Sequence, residues 1–192
     1  MKIYKGNVIK WEEWEKLRME GYEGVGGDFD CSDEHLKSLE GAPKIVGGYF
    51  NCSGNKLKSL KGAPVFVGDV FDCSYNMLTS LEGAPKIVYG FFDCSYNELT
   101  SLDGAPKIVG GHFKCSNNKL KSLKGAQESV KSFDCSGNEL TSLEGAPKFV
   151  YGFFDCSNNM LTSLDGAPKQ VGGEFDCSNN KLKTKGEKNE DI

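Results

Sequence analysis

Apolar side chains return along this chain at a fixed beat. The block beginning at Phe92 shows it in full. Phe92 and Cys94 flank a polar residue, Asn97 follows, then Leu99 and Leu102, and Gly104-Ala105-Pro106-Lys107-Ile108-Val109 leads into the next block. Residues two apart share one face of a strand, so Phe and Cys point inward from a short strand whose middle residue points out. The cysteines mark the period. Cys31, Cys52, Cys73, Cys94, Cys115, Cys135, Cys156 and Cys177 stand 21 residues apart at every step but one, the 20-residue step from Cys115 to Cys135. A period of this size predicts a solenoid in which each block is one coil and stacked neighbours bury each other. The return path is too short and too rich in Gly and Pro for a helix and is expected to run extended or in short turns. Paired glycines (Gly47-Gly48, Gly110-Gly111, Gly172-Gly173) are expected to bend it back into the strand.

Two further columns follow the same phase. Asn55, Asn76, Asn97, Asn118, Asn138, Asn159 and Asn180 each precede by two residues a leucine of the set Leu57 to Leu182. Buried polar groups need partners, so the Asn column is expected to bond the backbone of its own turn and of the adjoining turn. Departures from the pattern are informative. Coil one carries Glu34 in place of Asn, which suits an end coil. Coil five, Gly125 to Ser132, lacks the Pro and one residue, which predicts a local irregularity. The last copy, Lys181-Leu182-Lys183-Thr184-Lys185-Gly186, loses its second Leu, and the solenoid is expected to stop there. A longer period is also present: Thr79–Val88 returns as Thr141–Val150, 62 residues later, so three coils were copied together.

The ends read differently. Trp11-Glu-Glu-Trp14-Glu-Lys-Leu17-Arg-Met-Glu-Gly21 predicts a short amphipathic helix closed by Gly, capping the apolar face of coil one. The expected organisation is a cap over residues 1–24, eight coils over 25–185 and a charged tail over 186–192.

Phe-x-Cys-x-x-Asn-x-Leu-x-x-Leu resembles the leucine-rich-repeat pattern, with Phe and Cys at usual leucine positions, and it covers residues 25–182. The Leu-Thr-Ser-Leu-x-Gly-Ala-Pro return is similar to the short bacterial class found in effector proteins. The Gly-Ala-Pro-Lys-x-Val-Gly-Gly-x-Phe-x-Cys-Ser wording is most like repeats in proteins of large tailed phages and some bacteria. The resemblance implies a β-rich horseshoe with a parallel sheet on its concave face, little helix on the convex side, and a role in binding macromolecules. It names no partner.

Composition narrows the functional classes. The chain has 192 residues, 38% of them hydrophobic, a formal net charge of −4 and a pI near 5.3. That balance argues against a nucleic-acid partner. No apolar run approaches the length of a membrane span, and Met1 to Lys10 has no secretory apolar core. Eight cysteines in one phase stack in a column with parallel side chains, about 4.8 Å apart, whereas a disulfide needs convergent Cβ atoms about 3.8 Å apart. They are expected to be free, buried thiols, which points to the cytoplasm, or to host cytoplasm if the chain is phage-encoded. No CxxC pair suggests zinc, and no cofactor is expected.

The outward strand positions are the candidate site. One column, between Phe and Cys, carries Asp72, Asp93, Asp134 and Asp155 and is broken by Lys114. A second, before Phe, carries Tyr49, Phe91, His112 and Phe153. A third outward position is assigned to Tyr75 and Tyr96. Aromatic anchors beside carboxylates suit a protein partner with a basic patch, although an Asp copied with its coil also serves as a plain solvated strand residue. His35 and His112 lie four coils apart, and no phosphate loop or nucleophile elbow occurs, so no enzymatic activity is expected. The expected function is a non-enzymatic binding module, an inhibitor or adaptor acting on a host protein. The alternative is a structural or adhesive component of a phage particle or cell surface. Phe175, Cys177 and Leu182 of the last coil have no successor, so an end-to-end homodimer or a docked partner is expected there.

Overall fold

The structure, a computed structural model, describes residues 1–182. It is a β-solenoid of eight coils in which each coil contributes one short strand to each of two walls. The first wall is a continuous nine-stranded parallel sheet whose strands run side by side in chain order, from Val8–Lys10 and Asp28–Asp30 to Phe154–Asp155 and Phe175–Asp176. The register pairs Phe with Phe: Phe50 with Phe71, Phe71 with Phe92, Phe92 with Phe113. The predicted extended return path forms the second wall. It runs from Ile3–Tyr4 and Gly24–Val25 through Ile45–Val46, Phe66–Val67 and Ile87–Val88 to Ile108–Val109.

The core lies between the walls. Phe, Cys and both leucines of coils two to six are fully buried, as is nearly all of Val in the second wall; in coil seven Leu161 is buried and Leu164 is exposed. The Phe rings form one column, with centroids 5.1 to 6.0 Å apart from Phe29 to Phe175. All eight cysteines are free, seven of them buried. The Sγ–H groups of Cys52, Cys73, Cys94, Cys115 and Cys135 reach the next coil, as from Cys52 to the Asp72 carbonyl at 3.3 Å. Burial pushes the thiols up, to about 12 at Cys156 and well above the ordinary value at Cys73.

The Asn column bonds as its phase predicted. Asn97 Nδ2 donates to the carbonyls of Cys94 and Ser95 in its own coil and of Cys73 in the coil before, at 3.0 to 3.2 Å, while its Oδ1 accepts from Leu78 N–H at 3.0 Å. Two positive-φ columns turn the chain. The glycine before Ala-Pro, or before Ala-Gln in coil five, sits at φ +84° to +98° from Gly41 to Gly166, a region that favours glycine. The residue two after Cys sits at +53° to +66°, as at Gly54 and Asn117. The paired glycines have another reason. They lie outside the left-handed region, and a Cβ at Gly47 or Gly110 would sit 2.2 Å from a carbonyl oxygen of the preceding coil.

Coil five is irregular where the missing residue predicted. The path from Val130 to Phe133 has two intervening residues where Val109 to Phe113 has three. The second wall breaks there: Ser129–Val130, Phe149–Val150 and Gln170–Val171 form a separate three-stranded sheet. The first wall is unbroken, so the shortened bend displaces only one side of the coil.

The N-terminal segment holds more than the predicted helix. Ile3–Tyr4 and Val8–Lys10 extend both walls by one strand, with Ile9 opposite Phe29. Helix α1 (Trp11–Met19) then covers coil one. Trp14 and Leu17 are buried, and Trp11 and Trp14 both meet the Phe29 ring edge-on. At the other end Phe175, Cys177 and Leu182 are only partly buried, unlike their counterparts one coil earlier. The expected tail, 186–192, lies outside the described residues, as do Lys183 and Lys185 of the expected last coil. Among the described residues no helix is long and apolar enough to cross a membrane.

Candidate functional site

The outer face of the first wall is built by strand alternation. Phe points in, so the residues on either side of it point out. The register therefore lines up Asp72, Asp93, Lys114, Asp134 and Asp155 in one row. Each Asp of this row also ends its strand. Asp72 Oδ1 accepts from Ser74 N–H at 2.9 Å and from Ser74 Oγ–H at 2.6 Å, and Asp134 does the same for Ser136. Asp93 and Asp155 accept from the N–H of Ser95 and Ser157. Asn51 performs the same task for Ser53 in coil two. The row is thus a set of side-chain-closed turns, and the carboxylate charge is surplus to that task. Burial raises the Asp93 carboxyl despite its bonds to Ser95, and Asp72 adds to the rise.

The aromatic row is drawn together across the irregular coil. His112 meets Phe91 at 4.4 Å between ring centroids and Phe153 at 5.6 Å. Phe153 belongs two coils further on, and the contact skips Ser132, which is small and buried and whose Oγ accepts from Phe153 N–H. Burial holds the His112 imidazole below its ordinary value, and Lys131 and Lys114 act in the same direction. Phe91 stays 43% exposed, so the cluster presents aromatic surface to solvent. Tyr49 stands apart beyond Val70, at the rim of a separate hollow of about 270 Å³ that Asp69, Val70 and Asp72 also line. Burial raises its hydroxyl, helped by Asp30 and Asp28.

Tyr75 and Tyr96 are not strand residues, contrary to the sequence expectation. The strands end at Asp72 and Asp93, and both tyrosines sit in the turn beyond, at φ +53° and +54°. Other coils place Asp, Gly or Asn there, residues that tolerate this conformation; bulky side chains adopt it rarely. The two rings stack at 4.3 Å and 7° and stay 57% and 46% exposed. Two strained, stacked and exposed aromatics form a second patch beside the Asp row.

Further exposed groups escaped the sequence reading. Tyr89 and Tyr151 project from the bend between the walls, and Ile45, Phe66, Ile87 and Ile108 line the outer face of the second wall. The signal was their place two residues from Phe or next to Val, in a path read only as a connection. Among the described residues no group of three or more His, Cys, Asp and Glu is placed to hold a metal ion.

These features define the class: a repeat protein of the β-solenoid kind with a thiol-lined core and an aromatic, acidic outer face. Compared with models of known protein families the chain matches none. A comparison with curated proteins likewise returns no match.

Proposed function

We propose that the chain is a non-enzymatic module of leucine-rich-repeat type that binds a protein through the first wall, its concave side in that reading. The observation that carries this is the partly exposed Phe91–His112–Phe153 cluster, beside the Asp row and the Tyr75–Tyr96 stack. Aromatic anchors supply most of the affinity in such surfaces, and carboxylates select a partner carrying Lys or Arg and speed its approach. The Asp side chains are already held by their turns, so little rotamer freedom is lost on binding. The free thiols suit a cytoplasmic setting, including a phage product that inhibits or adapts a host protein. The test is affinity capture from lysate of the source or host cell, repeated with Tyr49→Ala, Phe91→Ala, Tyr96→Ala and Phe153→Ala. Capture should fall for Phe91 and Phe153 by about tenfold or more. Unchanged capture by all four folded variants rules this face out.

The alternative, a structural component of a particle or surface, draws on one feature. Phe175, Cys177 and Leu182 are partly exposed at the end of coil eight, and among the described residues the strand Phe175–Asp176 is the last of the first wall. End-to-end association there predicts a mass that rises with concentration in light scattering and that Phe175→Lys returns to monomer. An intact chain that is monomeric at every concentration defeats this reading.

A further inference from the structure

Arg18 is the only arginine of the chain, against 22 lysines. It lies in the last turn of α1, where a cation is ordinarily read as complementing the helix dipole. Here that end is closed by backbone. Glu20, Gly21 and Tyr22 N–H groups take the carbonyls of Lys16, Leu17 and Arg18. The Arg18 guanidinium turns instead toward coil one. It lies against Gly41, where a Cβ would sit 2.8 Å from Nη1. Among the described residues it takes part in no ion pair.

The space in front of it is a cleft of about 600 Å³ between α1 and the first two coils. This falls within the size range of small-ligand sites. Tyr22, Ala42 and Ala63 give it apolar walls. Trp14 lies buried beneath them, fixed by its Nε1–H, which donates to the Gly41 carbonyl at 2.7 Å. Lys44 and Glu23, also at the cleft, pair with each other at 2.8 Å. Among the lining residues this leaves the guanidinium as the uncompensated cation, and Lys2, whose Nζ lies 3.9 Å from the Tyr22 ring centroid, adds a second positive charge at the rim.

We infer that this cleft binds a small monocarboxylate with a flat apolar body, its carboxylate held by the Arg18 guanidinium and its ring against Tyr22 and Ala63. A planar fork of donors matches a carboxylate in two-point fashion, and lysine, used everywhere else on this chain, does not offer that fork. The site is independent of the first wall and of the protein-binding reading.

Phenylacetate is the probe, titrated against the full chain while tryptophan emission is followed. 2-Phenylethanol and inorganic phosphate serve as the neutral and the ring-free comparison. A saturable response to phenylacetate is expected, with affinity for 2-phenylethanol and for phosphate at least about tenfold weaker. Arg18→Gln should weaken phenylacetate binding by a similar factor. Ala63→Leu, which narrows the cleft and keeps the charge, should weaken it too. Both variants should retain the urea midpoint of the parent, which separates loss of the site from loss of the fold. Absence of a saturable response overturns the inference, as does equal binding of the alcohol or full affinity in Arg18→Gln. A phosphate response equal to that of phenylacetate overturns the carboxylate assignment.

Discussion

Replacing Asn97 by Ala removes one side chain and opens two coils. Its amide donates to three carbonyls and accepts from Leu78 N–H, all within 3.2 Å and all buried. A net hydrogen bond contributes about 0.5–1.5 kcal/mol, and a buried donor left without a partner costs about 1–3 kcal/mol. Leu78 N–H would be such a donor. The two amide N–H groups shared among three carbonyls and one orphaned N–H give an expected loss of about 2–6 kcal/mol, a large part of a typical domain's stability. Asn180→Ala is the internal comparison. Asn180 makes the same set of contacts from the last coil but is only half buried, so water replaces much of what is lost, and about 1 kcal/mol is expected. Urea unfolding followed by circular dichroism, with slope and midpoint fitted separately, reads both variants. A loss below about 1 kcal/mol at Asn97 with the parent slope would refute the claim that this column ties coil to coil.

Two more perturbations test the turns and the core. Asn fits the left-handed turn at positions 117, 158 and 179, so Tyr75→Asn with Tyr96→Asn should stabilise the chain by about 1 kcal/mol, strain relief exceeding the lost ring stack; a destabilised double variant would show that the tyrosines are held there without strain. Burial raises the folded thiol pKa of Cys52, Cys73, Cys94, Cys115 and Cys135 above the ordinary 9.0. That stabilisation is complete below pH 9 and is lost as pH climbs toward the folded values, because the unfolded chain releases protons first. Urea midpoints should therefore fall above pH 9, less steeply in Cys73→Ala, and a parallel fall in parent and variant would contradict the assignment.

Much of the coil was legible because one phase repeats eight times. Phe, Cys and Leu had to face one interior, and a buried Asn in a turn had to spend its amide on backbone. The return path was read as extended or as short turns, and its extended part became a second wall once stacked against its neighbours. Period-two reasoning failed where the strand stopped. It carried Tyr75 and Tyr96 outward as strand residues, although Gly54, Gly137 and Asn117 in the same column signalled a left-handed turn. The strands Ile3–Tyr4 and Val8–Lys10 lack the Phe-x-Cys signature and are recruited only by the edge that coil one offers them. The His112–Phe153 contact depends on a small buried Ser132 and a one-residue deletion, which no single coil reveals. The Arg18 cleft exists only between cap and coil, so nothing local in the sequence announces it.

The Asn column has a direction. Each Asn serves the coil before it: Asn76 accepts from Leu57 N–H and donates to the Cys52 carbonyl, and Asn97 does the same for coil three. Coil one has no Cys-bearing predecessor, which is why Glu34 can stand where Asn would otherwise be. A coil emerging from the ribosome is therefore unfinished until the next one arrives. Folding during synthesis should trail the nascent chain by one repeat, and a ribosome stalled at a coil boundary should hold a chain whose newest coil is still open to protease while all earlier coils are closed.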